Sequence, residues 1–290
     1  MAKPTYRELI ARKAPFVIPG AHDALSARLV EQAGFDACFV GGFPLVGARY
    51  GVPDIGLKSL GEIAAGIADI VPAISVPLMV DMDDGYGDVK NAVHSLHTYE
   101  RLGVASIMIE DQKWPKRCGH MAGKTVVAAE DMEAKIRAVV GERINPQTFI
   151  WARTDSRGPL GLDEALRRGE RFLRAGADGL FIEAPRTIEE LEIVGRTFDV
   201  PQAANPLEGG VTPILKPDEL HALGFKAIIY GINLLMHITH TMQNVLQDIK
   251  TGRFALQGKG SGFADYLKVV GFDDWARVDS TYGSPPPPAK

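Results

Sequence analysis

The fold is decided by residues 102–111, Leu102-Gly103-Val104-Ala105-Ser106-Ile107-Met108-Ile109-Glu110-Asp111. A glycine just past a helical pattern takes the left-handed backbone conformation that ends a helix. The apolar run that follows has the length and composition of a strand buried on both faces, and acids stop it. The junction recurs along the chain. Glu31-Gln32-Ala33-Gly34-Phe35-Asp36 precedes ACFVG, Ala175-Gly176-Ala177-Asp178 precedes GLFIEA, and Leu223-Gly224-Phe225 precedes KAIIYG. Helix, glycine, buried strand is half of a repeating βα unit.

Strands are expected at 15–19, 36–41, 77–82, 105–110, 147–153, 178–183, 200–205 and 225–230. Helix starts lie between them. Ser59-Leu60-Gly61-Glu62 and Thr187-Ile188-Glu189-Glu190 match the capping box, and Pro217 suits a first helical position. Over 162–175 an apolar stripe of Leu162, Ala165, Leu166, Gly169, Phe172 and Leu173 opposes Arg167, Arg168, Glu170 and Arg171. Eight alternating units in about 250 residues predict a closed (β/α)8 TIM barrel, an α/β fold, over 1–250. An open sheet of the dinucleotide-binding kind would want G-x-G-x-x-G after its first strand, where this chain has PGAHDALSA. Residues 251–290 are expected to form a helical extension with a mobile tail, SPPPPAK. A long helical pattern from Ile232 to Lys250 precedes the extension.

Composition narrows the function. The 290 residues carry a formal net charge of −4, with 46% hydrophobic and 23% charged residues. Such a chain offers no broad cationic surface for nucleic acid or an anionic membrane. Its apolar runs are far short of the roughly 20 residues that span a bilayer, and the first twenty residues lack a signal-peptide core. Two cysteines, Cys38 and Cys118, cannot build a disulfide framework. A cytoplasmic enzyme acting on a small molecule is the expectation.

Strand ends collect polar groups where a barrel should have only packed core. They read Asp81-Met82-Asp83-Asp84, Glu110-Asp111-Gln112, Arg153-Thr154-Asp155, Glu183 and Asn205-Pro206-Leu207-Glu208. The carboxyl ends of barrel strands converge on one mouth. Asp81 and Asp83 are two apart on one strand, and Glu110 ends the next, so a cation is needed to hold them together. An all-oxygen set without clustered sulfur or imidazole favours Mg2+, or Mn2+, over Zn2+. The loop 112–124 gathers Lys113, Lys116, Arg117, Lys124, Cys118 and His120. A thiol between Arg117 and His120 has the electropositive setting that suits proton transfer, and the loop can close over an anion. Gly119 to Thr125 is one residue short of a Walker loop and follows no strand. His94, His97, His237 and His240 lack companion acids and read as ordinary core or surface positions.

The motifs VDMDDGYG, IEDQ, KRCGH and ARTD, with GAHDALSARLVEQAGF, GVPDIG and AANPLEGG, resemble the isocitrate lyase/phosphoenolpyruvate mutase superfamily. The resemblance covers nearly the whole chain and is to its short members. It implies a barrel whose last helical segment is exchanged between subunits of a homotetramer. It also implies a Mg2+ site with Asp83 as principal ligand and Asp81, Glu110 and Asp54 nearby. Catalytic roles pass by matching position to Cys118, Arg153, Lys116 and His120. Substrate contacts pass to Gly42, Phe43, Arg117, Gly119, Asn205, Glu183 and Glu208. The implied reaction is cleavage of a carbon–carbon bond in a 2-hydroxydicarboxylate of the 2,3-dimethylmalate or methylisocitrate type. Its rivals are carboxyphosphonoenolpyruvate phosphonomutase, oxaloacetate hydrolysis or decarboxylation, and a silent dicarboxylate-binding barrel. Three departures fall on substrate-facing positions. Gly41 replaces the usual Ser or Thr, Phe39 stands where methylisocitrate lyases have Tyr, and Tyr230-Gly231-Ile232-Asn233 replaces Tyr-Pro-Leu-Ser.

Overall fold

The computed structural model describes residues 4–119 and 123–283. Eight strands alternate with helices: β1 Phe16–Pro19, β2 Cys38–Val40, β3 Leu78–Asp81, β4 Ser106–Glu110, β5 Phe149–Thr154, β6 Gly179–Ile182, β7 Gln202–Ala204 and β8 Ala227–Tyr230. Every expected strand is present, each shorter than its expected run and β2 and β7 by half. All pair in parallel, in the order β1-β8-β7-β6-β5-β4-β3-β2. A parallel bridge between Gly20 and Phe39 closes the ring, with the Ala21 N–H donating to the Phe39 carbonyl at 2.8 Å. The expected TIM barrel is the observed one.

The junction glycines behave as their positions demand. Gly34, Gly103, Gly176 and Gly224 have φ of +89°, +91°, +105° and +111°, angles that a side chain would resist. At helix starts, the Ser59 N–H donates to the Glu62 carboxylate at 2.9 Å, and Thr187 Oγ1 accepts from the Glu190 N–H at 3.1 Å. Helix Leu162–Arg174 buries Ala165, Gly169 and Phe172 as its stripe required. Arg168, expected on the outer face, is buried instead. Its guanidinium donates to Asp111 and to the Val127 carbonyl, each at 2.9 Å. A buried carboxylate supplied the partner that hydrophobic periodicity does not register.

Barrel layering sets the stage for the site. Inward-facing side chains recur every second residue along a strand, and each layer draws on alternate strands. Phe39, Met108, Phe181 and Ile229 come from the even strands and belong to one apolar cluster. Two residues further along, the same strands carry Gly41, Glu110, Glu183 and Gly231. On the odd strands, Ile18, Met79, Trp151 and Ala203 are buried, and two residues further come Gly20, Asp81, Arg153 and Asn205. The core therefore gives way to polar groups or glycine within one strand repeat. At the opposite end, helix Tyr6–Ile10 plugs the barrel. Tyr6 accepts from Trp151 Nε1 at 3.0 Å and donates to the Met79 sulfur at 3.3 Å.

The chain divides into two compact units, Met1–Met236 and His237–Lys290. The first holds the barrel. The second contains most of helix Asn233–Thr251, then helices Phe263–Val269 and Phe272–Tyr282. Within it the Asp248 carboxylate accepts from the Ala255 and Leu256 N–H groups at 2.9 and 3.0 Å and folds the chain back after the long helix. Phe263, Trp275 and Tyr282 are 81%, 71% and 81% exposed. The SPPPPAK tail lies outside the described residues.

Candidate active site

The turn after β3 is built against local preference. Asp83 and Tyr86 have φ of +48° and +59°, a region side chains enter at a cost. Gly85 is required because a Cβ there would come within 2.7 Å of that of Ala92. The neighbouring elements hold the turn. Lys135 donates to the Asp84 carbonyl at 2.7 Å and pairs with its carboxylate at 3.3 Å, and Ser95 donates to the Gly85 carbonyl at 3.2 Å. The Asp83 N–H donates to Asp81 Oδ1 at 3.0 Å. This distortion brings Asp83 to the same ammonium that Asp54 meets.

That ammonium is Lys116, delivered by the loop after β4. Its Nζ lies 2.6 Å from Asp54 Oδ2 and 2.6 Å from Asp83 Oδ1. Burial alone would lower its pKa, but the carboxylates of Asp83, Asp54, Asp81 and Glu110 outweigh burial and hold it well above its ordinary value. Gly42 packs against this pair. A Cβ there would lie 3.0 Å from Lys116 Nζ and 3.2 Å from Asp54 Oδ2.

Arg153 at the end of β5 is the second centre of charge. Its Nε is 3.2 Å from Glu110 and 2.9 Å from Asp155, and its Nη2 is 3.2 Å from Glu183. Asp155 also pairs with Lys124 at 2.6 Å. Burial would raise the Asp155 pKa, yet Arg153 and Lys124 together hold it below the ordinary value. Behind them Asp111 accepts from the Thr154 hydroxyl at 2.7 Å and the Asp155 N–H at 2.8 Å, locking the ARTD segment. The loop itself is clamped. Gln112 and Arg117 exchange two hydrogen bonds at 2.9 and 3.0 Å, the Lys113 N–H donates to the Thr125 carbonyl at 2.9 Å, and Lys124 donates to the Gly119 carbonyl.

These groups surround a cavity of about 60 Å³ at the carboxyl ends of the strands. Its walls include Asp54, Asp81, Glu110, Lys116, Arg117, Cys118, Gly119, Arg153, Glu183 and Asn205, with Gly42 and Phe43. Asp83 reaches it through Lys116. Glu208 is exposed and outside the lining, and His120 lies outside the described residues. Asp155 and Lys124 are the buried pair that sequence reasoning left out of the site, although the ARTD motif already contained the acid. Of the apolar wall, Phe39, Ile232 and Leu207 lie in segments that sequence reasoning had brought to the mouth, whereas Met108, Phe181 and Ile229 were missed. Continuous apolar strands conceal which alternate residues face inward.

Among the described residues no three carboxylate, thiolate or imidazole side chains form a ready cage for an ion. The charge inventory nonetheless suits a cation. Asp54, Asp81, Asp83, Glu110, Asp155 and Glu183 are six buried carboxylates facing three buried cations, Lys116, Lys124 and Arg153. Burial pushes the pKa of Asp81, Asp83 and Glu110 upward, that of Glu110 far upward. Among the described residues Glu110 Oε1 has no hydrogen-bond partner. An uncompensated oxygen set of this kind fits a hard metal ion.

The family model described as phosphoenolpyruvate phosphomutase matches residues 6–250. The chain is 38% identical to 2,3-dimethylmalate lyase of Eubacterium barkeri, over 96% of this chain and 97% of that one. It is 37% identical to 2-methylisocitrate lyase of Halalkalibacterium halodurans, over 94% and 91%. Among solved structures, oxaloacetate acetylhydrolase in complex with the inhibitor 3,3-difluorooxalacetate superposes with a TM-score of 0.93 at 28% identity, covering 98% of both chains. With the barrel and the charged mouth described above, these likenesses show that the chain belongs to the phosphoenolpyruvate phosphomutase family and is an enzyme of the isocitrate lyase/phosphoenolpyruvate mutase superfamily.

Proposed function

We propose that this enzyme is a Mg2+-dependent carbon–carbon lyase that cleaves a 2-hydroxydicarboxylate of the 2,3-dimethylmalate or methylisocitrate type, releasing pyruvate or another 2-oxo acid. One observation carries the reading. The acidic cluster, the Arg153 guanidinium and the Cys118 thiol open into a single cavity.

Asp83, Asp81, Glu110 and Asp54 are the residues that would hold the metal, with Mn2+ as an alternative occupant. When bound, it supplies Lewis-acid stabilisation of charge on the substrate's C1 carboxylate and C2 oxygen. The chain's own groups do the rest. The amides of Gly42 and Phe43 bind the α-carboxylate, with Asn205 and Gly119 beside it and Glu183 holding Arg153 in place. As the C2–C3 bond breaks, the C2 hydroxyl gives its proton to a carboxylate of the cavity wall, C2 becomes a carbonyl and the bonding pair leaves with C3 as an enediolate. Arg153 stabilises the developing negative charge, fixed in advance by Glu110, Asp155 and Glu183. The thiol of Cys118 gives its proton to C3. Arg117 and His120 orient the second carboxylate, and Lys116 neutralises Asp54 and Asp83. Phe39 carries no oxygen to take that proton, which leaves it to the carboxylates.

The test is a panel of 2-hydroxydicarboxylates, with and without Mg2+, assayed for 2-oxo acid release. Release from at least one, abolished by chelation, is expected. Its absence throughout, or appearance of a carbon–phosphorus product by ³¹P NMR from a carboxyphosphonate substrate, would overturn the reading. For the second unit we infer exchange between subunits of a homotetramer, supported by its exposed Phe263, Trp275 and Tyr282. Light scattering that returns a monomer mass would remove this part.

A further inference from the structure

The ionic bridge at Lys116 has an apolar counterpart beside it. Trp114 lies two residues before Lys116, Gly56 two after Asp54 and Tyr86 three after Asp83. These three meet as their charged neighbours do. The Trp114 indole and the Tyr86 ring form a T-shaped pair, with centroids 6.4 Å apart and planes at 63°. Trp114 and Pro115 also pack on Gly56, where a Cβ would come within 3.0 Å of Trp114 Cζ2 and 3.1 Å of Pro115 Cβ. Gly56 has φ of +80°, so glycine there meets both the backbone angle and the close approach of the ring. Tyr86 is itself fixed. Its hydroxyl is 3.1 Å from that of the fully buried Tyr99, and its N–H donates to Asp84 Oδ1 at 2.9 Å. Trp114, Gly56 and Tyr86 all lie outside the cavity lining, and Trp114 is 38% exposed.

We propose that Trp114 is a positioning residue: packed on Tyr86 and Gly56, its ring keeps the loop after β4 where Lys116 reaches both Asp54 and Asp83. The inference rests on the metal site proposed above and adds the residue that governs how near the ammonium stands to its ligands. Charge attraction falls off slowly with distance, so a lysine on its flexible stem can serve both acids from more than one backbone position. Ring contacts are lost within an ångström or so. The ring therefore selects one placement of the loop among those that the charges alone would accept. Cys118 and Gly119, which line the cavity from the same loop, take their places with it.

Trypsin reads the placement, since Lys113, Lys116, Arg117 and Lys124 all lie in or beside the loop. Cleavage of a native protein tracks the population of its open form. Trp114→Ala is expected to be cut there about 10-fold faster than the native chain, the scale of a lost aromatic pair, with its thermal melt little changed. Trp114→Phe, which keeps a ring, is expected to restore most of the protection, and Trp114→Leu replaces the alanine variant should that fail to fold. Calorimetry with Mg2+ alone is the second readout. A released ammonium no longer opposes the cation, so Trp114→Ala is expected to bind Mg2+ about 3-fold or more tightly than the native protein, in the same direction as Lys116→Met. A merely structural defect would weaken binding instead. Cleavage no faster than in the native chain, no rescue by Trp114→Phe, or unchanged or weaker Mg2+ binding would overturn the proposal. Should neither the native protein nor Lys116→Met bind Mg2+, the metal reading fails, and the trypsin series alone decides the role of the ring.

Discussion

The two halves of the barrel mouth are built by opposite means. From β3 to β6 every inward position carries a charge, and each charge is wired to others: Arg153 to three carboxylates, Lys116 to two, Asp84 to Lys135. From β8 through β1 to β2 the same positions are glycine, and the wall is a phenylalanine ring. The first half is preorganised for charge development, which is what a chemical step demands. The second is space with an apolar lining, which any substituent of suitable shape can fill. On the proposed reading the charged strands serve the chemical step, and the glycine side can vary without dismantling them.

This division breaks most visibly at Arg153. Replacing it with Met strands Glu110 and Glu183 as buried charges and leaves Asp155 to Lys124 alone, a defect expected to cost about 3–5 kcal/mol of stability and to abolish turnover. Chemical denaturation and an activity assay report the two effects. Were Arg153→Met to keep near-native stability, the wiring would not be what holds the charged half. Cys118→Ser comes next, with turnover expected to fall by about 10²–10⁴-fold, the range of a lost proton donor. Calorimetry should show Mg2+-dependent ligand affinity unchanged. Full activity in this variant would remove the thiol from the proton's path.

Lys135→Met probes the support of the strained turn. Losing the cation that holds the Asp84 carbonyl and carboxylate is expected to destabilise the protein by about 1–3 kcal/mol and to weaken Mg2+ binding, since Asp83 sits in the same turn. A metal titration of the variant measures this. The smallest effect belongs to the empty half. Gly41→Ser places a Cβ 3.1 Å from the Phe39 ring, which must give by a few tenths of an ångström. A few-fold rise in KM for alkyl-bearing substrates is expected with kcat nearly unchanged, the signature of a binding effect. A large kcat defect there would erase the distinction between the halves.

How much of this was legible in the sequence follows the same line. The strands were, because glycine junctions and doubly buried runs leave a strong pattern. The acidic strand ends were also readable, since charge at the end of a buried run is conspicuous. The Lys116 bridge between Asp54 and Asp83 was not, because its partners are 62 and 33 positions away and meet only through the path of the loop after β4 and the left-handed backbone at Asp83. Glu208 shows the converse. Its motif suggested a wall position, yet the loop after β7 leaves it exposed, with Leu207 in the lining instead. Phe39 announced itself only as a departure from relatives. That it occupies the room left by two glycines became visible once β2 and β8 were brought together around β1.

Tyr6, bonded to Trp151 and Met79, closes the packed barrel at the end away from the cavity. On the proposed reading, substrate and products then share the carboxyl-end mouth. A reaction that turns one molecule into two then becomes a queue: the fragment nearer the loop departs first, and the one beneath it blocks the next arrival until it follows. Product inhibition patterns should be those of ordered release, with the last fragment out competing directly with substrate.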